Sequence, residues 1–168
     1  MRPRNFQVAV AMRLGLPVLN EEKSCSLCMQ IIAVFGDHAA CCAMSSDRIH
    51  RHNRVRNLLD RIAQRRHVME KKGLLGDVDG RRPGDVTIPV WRANKGLAID
   101  VAVTSPLASS NLSDPQPCES YATWKKHAYY DDGFKGTAFE FAAMVFETTG
   151  GVNNEGLDVL QQLFRFAR

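Results

Sequence analysis

The chain has 168 residues, 45% of them apolar, with a formal net charge of +4 and a pI near 8.9. That is one domain's worth of chain, long enough to bury a core, with the apolar fraction of an ordinary globular protein. No apolar run approaches membrane-spanning length and no signal-peptide stretch opens the chain, which excludes a membrane role and makes an intracellular, nuclear or cytoplasmic protein the expectation.

The charge is clustered. Between Arg48 and Lys72 stand nine Lys or Arg and three His against two acids, the pattern of a nucleic-acid partner. Five cysteines is an odd number, and four of them fall between Cys25 and Cys42, which points to metal rather than disulfides.

Residues 1–24 show no firm period and read as an N-terminal extension, with Phe6 to Leu19 moderately apolar and the start suggesting a piece of a longer chain. Residues 25–45 carry Cys25-x2-Cys28, then His38-x3-Cys42. Three thiolates and an imidazole are the tetrahedral set that zinc prefers, and four protein ligands make such a site structural. Gly36 permits the reversal that brings the second pair to the first. Cys41 adjoins Cys42, so either could ligate; Cys42 is favoured. The alternative is a group of buried free thiols beside a surface histidine.

Residues 46–168 carry the rest. A helix starts at Ser46 or Asp47 and runs to about Arg66, with Val55, Leu58, Leu59 and Ile62 as its core stripe. Extended backwards, the stripe lands on Arg51 and His52. With Asn53 they either reach water past the core or face a site or a phosphate. Arg48 and Arg54 add charge that could track a nucleic-acid backbone. Val68 to Glu70 reads as a short first strand and Gly73 to Gly80 as a turn-rich loop.

Two acid-bearing strands follow, Arg81 to Pro89 with Asp85 and Leu97 to Thr104 with Asp100, joined by a hairpin-like connection around Asn94-Lys95-Gly96. Ile99 and Val101 flank Asp100 in a run without polar alternation, which suits a strand buried on both faces. A carboxylate there is expensive unless something cationic neutralises it, and two acids on adjacent strands can share a divalent ion. The plainer alternative is that Asp85 only starts a strand and Asp100 pairs with an arginine.

Ser105 to Pro117 is a polar loop, with Cys118 a free thiol. A second helix spans roughly Glu119 to Tyr130, with Tyr121, Trp124, Lys125 and Ala128 on one face and Ala122, Lys126, Tyr129 and Tyr130 on the next. Its aromatic face reads as core packing. Phe139 to Glu147 is an apolar strand. Leu157 to Phe166 is a closing helix with Leu157, Leu160, Leu163 and Phe164 inward. The result is an α/β fold, a mixed central sheet flanked by helices, after a small zinc knuckle.

This order of elements, with the Asp85 and Asp100 pair, resembles the restriction-endonuclease-like fold of the PD-(D/E)XK nuclease superfamily. More narrowly, residues 25–150 are similar to the endonuclease domain of site-specific non-long-terminal-repeat retrotransposons. The matching residues are Cys25, Cys28, His38 and Cys42, then Arg51-His52-Asn53, Pro83 and Asp85, Asp100, and Lys126 or Lys125. The runs Gly36-Asp37-His38-Ala39, Asp47-Arg48-Ile49 and Phe146-Glu147-Thr148 are also similar to such sequences. A glycine separates Pro83 from Asp85, and Ala102 stands where a lysine is usual, so the lysine is expected from the following helix. Helical phase favours Lys125, and the lysine-to-tyrosine spacing of the resembling family, Lys126 to Tyr130, favours Lys126, which is preferred.

The resemblance implies a DNA endonuclease that hydrolyses phosphodiester bonds, derived from a reverse-transcriptase polypeptide. Asp85 and Asp100, with the Val101 carbonyl, would hold Mg²⁺ or Mn²⁺. The lysine would orient water or stabilise the transition state. Arg51 and His52 would contact phosphate or support the acids, with Asn53 fixing the start of the helix. Glu70 is either an auxiliary ligand or an exposed strand acid. The zinc would be structural, and DNA or RNA the partner. Two other classes stay open: a zinc-stabilised nucleic-acid-binding module without catalysis, and a decayed domain serving as a protein scaffold.

Overall fold

The computed structural model describes residues 3–63 and 84–166. The expected strand at Val68 to Glu70, the expected loop at Gly73 to Gly80, Pro83 and the part of the expected helix beyond Ala63 lie outside these. The described elements are α1 (Pro3–Arg13), β1 (Lys23–Ser24), β2 (Ile31–Ile32), α2 (Asp37–Cys41), α3 (Asp47–Ala63), β3 (Val86–Arg92), β4 (Lys95–Thr104), α4 (Pro117–Tyr121), a π-helical turn (Ala122–His127), α5 (Ala128–Phe134), β5 (Phe139–Glu147) and α6 (Asn154–Phe166).

The main sheet is mixed. β4 lies at its centre, antiparallel to β3 and parallel to β5. A central strand has no solvent face, and every residue from Gly96 to Ala102 is buried. β3 carries Pro89, which has no N–H to give to a ladder, and its register slips between Ile88 and Arg92, as an edge strand tolerates. The expected β3–β4 connection of about half a dozen residues is tighter than that. Ala93 and Asn94 both take positive φ, 43° and 65°, so Arg92 pairs directly with Lys95 across a two-residue turn.

Helices cover both faces. α3 and α6 close one over Leu59, Ile88, Ile99, Met144 and Leu163. The run α4–π–α5 closes the other over Ala102, Cys118, Ala122, Ala143 and Val145. Ser46 starts α3 by accepting the backbone N–H groups of Ile49 and His50, while Ser45 Oγ accepts that of Asp47 at 3.0 Å.

Three expected core faces shift. Leu58 is 57% exposed, and the α3 stripe is Val55, Leu59 and Ile62 with Ala63. Leu157 and Phe164 are exposed on α6, whose inward line is Gly156, Val159 and Leu163, flanked by Leu160. A Cβ on Gly156 would meet Asn153 Oδ1 at 2.6 Å and Met144 Cα at 3.4 Å, so the glycine lets α6 settle on β5. On the third, Trp124 is 73% exposed and Tyr121 sits at the surface, so the aromatic face of the second helix is not core.

Among the described residues no further strand lies along the outer edge of β5, which an isolated bridge from Phe146 to Val152 and two side chains pair. Asn153, 1% exposed, accepts the N–H of Val145 at Oδ1 and donates from Nδ2 to the Ala143 carbonyl, both at 2.9 Å. Glu155 Oε2 accepts the Ala143 N–H. Backbone groups that a fourth strand would satisfy are met by one amide and one carboxylate.

Candidate functional site

Two constellations emerge, both beside the N-terminal half of α3. The first is the Cys/His cluster. β1 and β2 form a minimal hairpin, and the Cys25 N–H donates to the Gln30 carbonyl at 2.8 Å, which folds the Cys25–Cys28 knuckle. Gly36, at φ 75°, turns the chain into α2, where a Cβ would strike Val18 at 2.7 Å. α2 then delivers His38 and Cys42.

The ligand atoms of Cys25, Cys28, His38 and Cys42 all lie within 4.8 Å of one another. Cys25 Sγ is 3.9 Å from Cys42 Sγ, which is 3.8 Å from Cys28 Sγ, and Cys28 Sγ is 3.1 Å from His38 Nε2. Tetrahedral zinc with Zn–S bonds of about 2.3 Å places its thiolates about 3.8 Å apart, so this donor set fits a metal such as zinc. Backbone N–H groups of Leu27 and Cys28 hold the Cys25 thiol down at about 6, which favours the thiolate form that ligates.

Cys41 is excluded from the set. Its thiol points back along α2 to the carbonyls of Asp37 and His38, and burial and then Asp37 push it up in pKa. Cys42 is the fourth donor.

The second constellation is a cleft of about 420 Å³ over one end of the sheet. Asp85, just ahead of β3, and Asp100, in β4, both line it. Asp85 Oδ2 accepts the backbone N–H of Val101 at 2.8 Å, and Oδ1 lies 3.3 Å from His52 Nε2 on α3. Asp100 shares the face of β4 that carries Ala102, under the π turn, and its Oδ2 forms an ion pair with Lys126 Nζ. Asp100 is 5% exposed. The two acids are therefore served by cations from opposite layers, His52 from one and Lys126 from the other.

Their proton affinities move apart. Burial raises Asp85, but the hydrogen bonds from His52 and Val101 outweigh it and leave its carboxyl below the ordinary value. Burial raises Asp100 more than Lys126 lowers it. The hydrogen bond to Asp85 raises His52 against its own desolvation, and Asp100 raises Lys126 in the same way. Pairs of carboxylates with divergent affinities mark sites where protons or cations are handled.

The lysine alternatives are separated by the π turn. Its wider winding carries Lys126 onto the line of Cys118 and Ala122, facing the sheet, and leaves Lys125 exposed beside a neighbouring cavity. Phase reasoning at the ordinary helical period favoured Lys125, and the structure corrects that. Asp100 is paired with lysine and not with an arginine.

Arg51 is not among the residues lining the acid cleft. Its Nη2 donates to the Ala40 carbonyl at 2.9 Å, tying α3 to α2 beside the Cys/His cluster. Arg48 reaches the cleft wall, Arg54 lies on the outer surface of α3 beside Asp47 and His50, and half-buried Asn53 is not a lining residue. Tyr121 was assigned no role from sequence, yet it lines the cleft with its ring centroid 5.8 Å from Lys126 Nζ. Its i to i+5 spacing from Lys126 becomes a contact only in a π turn, which no sequence period signals.

Searched against protein-family models and against curated proteins, the chain gives no match.

Proposed function

We propose that this chain is a restriction-endonuclease-like, divalent-metal-dependent DNA endonuclease domain of retrotransposon type, with the Cys/His cluster as a structural zinc site. What carries the reading is the convergence of Asp85, Asp100, Lys126 and His52 from two strands and two opposite helical layers on one cleft. Two carboxylates on one cleft wall are hard oxygen donors, the chemistry of Mg²⁺ or Mn²⁺ rather than of softer ions. When bound there, such an ion supplies Lewis-acid polarisation of a phosphate and acidification of water.

The chain's own residues do the remainder. Asp85 and Asp100 would hold the ion, and His52 with the Val101 N–H fixes the rotamer of Asp85. Lys126 Nζ donates to a water or to the charge gathering on a phosphate oxygen, in a site where such a donor counts for more than in bulk water. Arg48 draws the strand to the cleft. The zinc knuckle holds α3 in place through the Arg51 to Ala40 hydrogen bond.

A second reading is a nucleic-acid-binding module without catalysis. The Lys126–Asp100 ion pair favours it, because the buried carboxylate is already neutralised without a metal. Incubation with supercoiled plasmid in Mg²⁺ or Mn²⁺ decides between them. The nuclease reading expects nicked and linear DNA with wild type and none with Asp85→Ala or Asp100→Ala. Wild-type protein that shifts the plasmid on a gel but never nicks it is the binding module, and one that does neither at low salt belongs to a protein scaffold.

A further inference from the structure

A second cavity, also of about 420 Å³, adjoins the acid cleft and shares Arg48, Val103 and Tyr121 with its wall. Its chemistry is the reverse. Arg48 and Arg51 from α3 and Lys125 from the π turn line it together, and among the described residues no carboxylate lines it. Arg51 uses Nη2 on the Ala40 carbonyl, while its Nε is enclosed and, among the described residues, has no hydrogen-bond partner. A buried donor left unpaired is costly, and clustered like charges add to the cost, so the arrangement asks for an anion.

The opposite wall offers donors. Ser105 Oγ accepts the Thr148 hydroxyl at 3.1 Å, which leaves the Ser105 proton free to be given away. Cations in a forked geometry beside a free hydroxyl proton suit a tetrahedral oxyanion.

We propose that this cavity is a phosphate-binding subsite that seats a backbone phosphate of the nucleic-acid strand whose neighbouring phosphodiester lies in the acid cleft. The anion requirement stands on the cavity alone; that the phosphate belongs to a polynucleotide rests on the nuclease reading. Lys125 and Arg51 are then strand-positioning residues rather than partners of Asp85 and Asp100. The shared wall at Arg48 and Tyr121 lets one continuous strand occupy both cavities.

The test is a salt series of fluorescence-anisotropy titrations of the zinc-loaded full chain with labelled oligonucleotide, without added divalent ion. Lys125→Gln and Arg48→Gln each lower the slope of log Kd against log salt by about 1 and weaken binding across sequences. Lys125→Arg restores the slope. Lys135→Gln, which removes an exposed lysine paired with Asp132, leaves it unchanged. A parallel thermal-shift titration with inorganic phosphate reports free-anion binding. Phosphate stabilisation that disappears in the variants while the oligonucleotide slope stays constant makes this a small-anion site and overturns the strand assignment. Unchanged slope and unchanged phosphate response overturn the subsite altogether. Plasmid nicking with an unchanged slope sinks this inference alone, whereas the slope loss without nicking sinks the nuclease reading and leaves the subsite standing.

Discussion

Asp100 and Lys126 show how one residue pair sets the terms for the molecule. Both side chains are largely out of water, so removing either partner strands a charge rather than deleting a contact. Lys126→Ala is expected to destabilise the protein by about 3 kcal/mol, measured by chemical denaturation. Added Mg²⁺ restores more stability to this variant than to wild type, since an ion at the acids substitutes for the lost ammonium. A variant as stable as wild type would show that the pair is not buried as described. A second position at this scale is Gly96. A Cβ there would lie 2.4 Å from Phe139 Cε1 and 2.9 Å from the Ile88 carbonyl, where β3, β4 and β5 begin to pair. Gly96→Ala is expected to cost about 1–3 kcal/mol by overpacking, and a change within about 0.5 kcal/mol would mean the strands have room that this packing denies.

The elements differ in how openly the residues announced them. β4 and β5 were legible because β-branched and apolar runs without polar alternation have few other uses, and α3 because Val55, Leu59 and Ile62 keep helical spacing. The faces of the last two helical runs were not. Gly156 has no side chain to weigh, so the apolar count placed the stripe of α6 one step round, at Leu157 and Phe164. A π turn shifts phase without any marker residue, which made helical phase point to Lys125 against the spacing that pointed to Lys126, and hid the contact of Tyr121 with Lys126. The Cys/His cluster was legible from spacing, and the choice between adjacent cysteines needed the direction of α2. Cys42→Ser should therefore lose bound zinc, measured by elemental analysis, while Cys41→Ser keeps it; equal loss in both would remove the distinction.

A further element-scale device joins the π turn to α6. His127 meets Asp131 at Nδ1 and Glu155 at Nε2, each at 2.8 Å, and packs edge-on to Phe141. Burial lowers its proton affinity, but the two carboxylates outweigh it and the net shift is upward. A histidine raised on folding contributes stability that is full below its unfolded pKa of about 6.5 and fades as pH rises through the folded value. Melting temperature should therefore fall from pH 6 towards alkaline pH, and His127→Gln should flatten that limb. A limb equally steep in the variant would assign the titration elsewhere.

At the scale of the whole molecule, the described residues form two cooperating parts, a Cys/His knuckle and a mixed sheet between helical layers, bridged by α3. No helix among the described residues is long and apolar enough to cross a membrane. The acid cleft and the cationic cavity lie side by side and share a wall, an arrangement of opposite chemistries. The pairing of acids on adjacent strands could be inferred from Asp85 and Asp100 in sequence. The separation of Arg51 and Lys125 into their own cavity could not, because it depends on the crossing of α3 over the knuckle.

The account rests on Asp85 and Asp100 sharing one divalent ion, and Mn²⁺ binding to the zinc-loaded protein, followed by electron paramagnetic resonance, tests that directly. One bound Mn²⁺ is expected for wild type, lost in Asp85→Asn and in Asp100→Asn and kept in Lys125→Gln. Absence of bound Mn²⁺ in wild type, or its persistence in both aspartate variants, would contradict it.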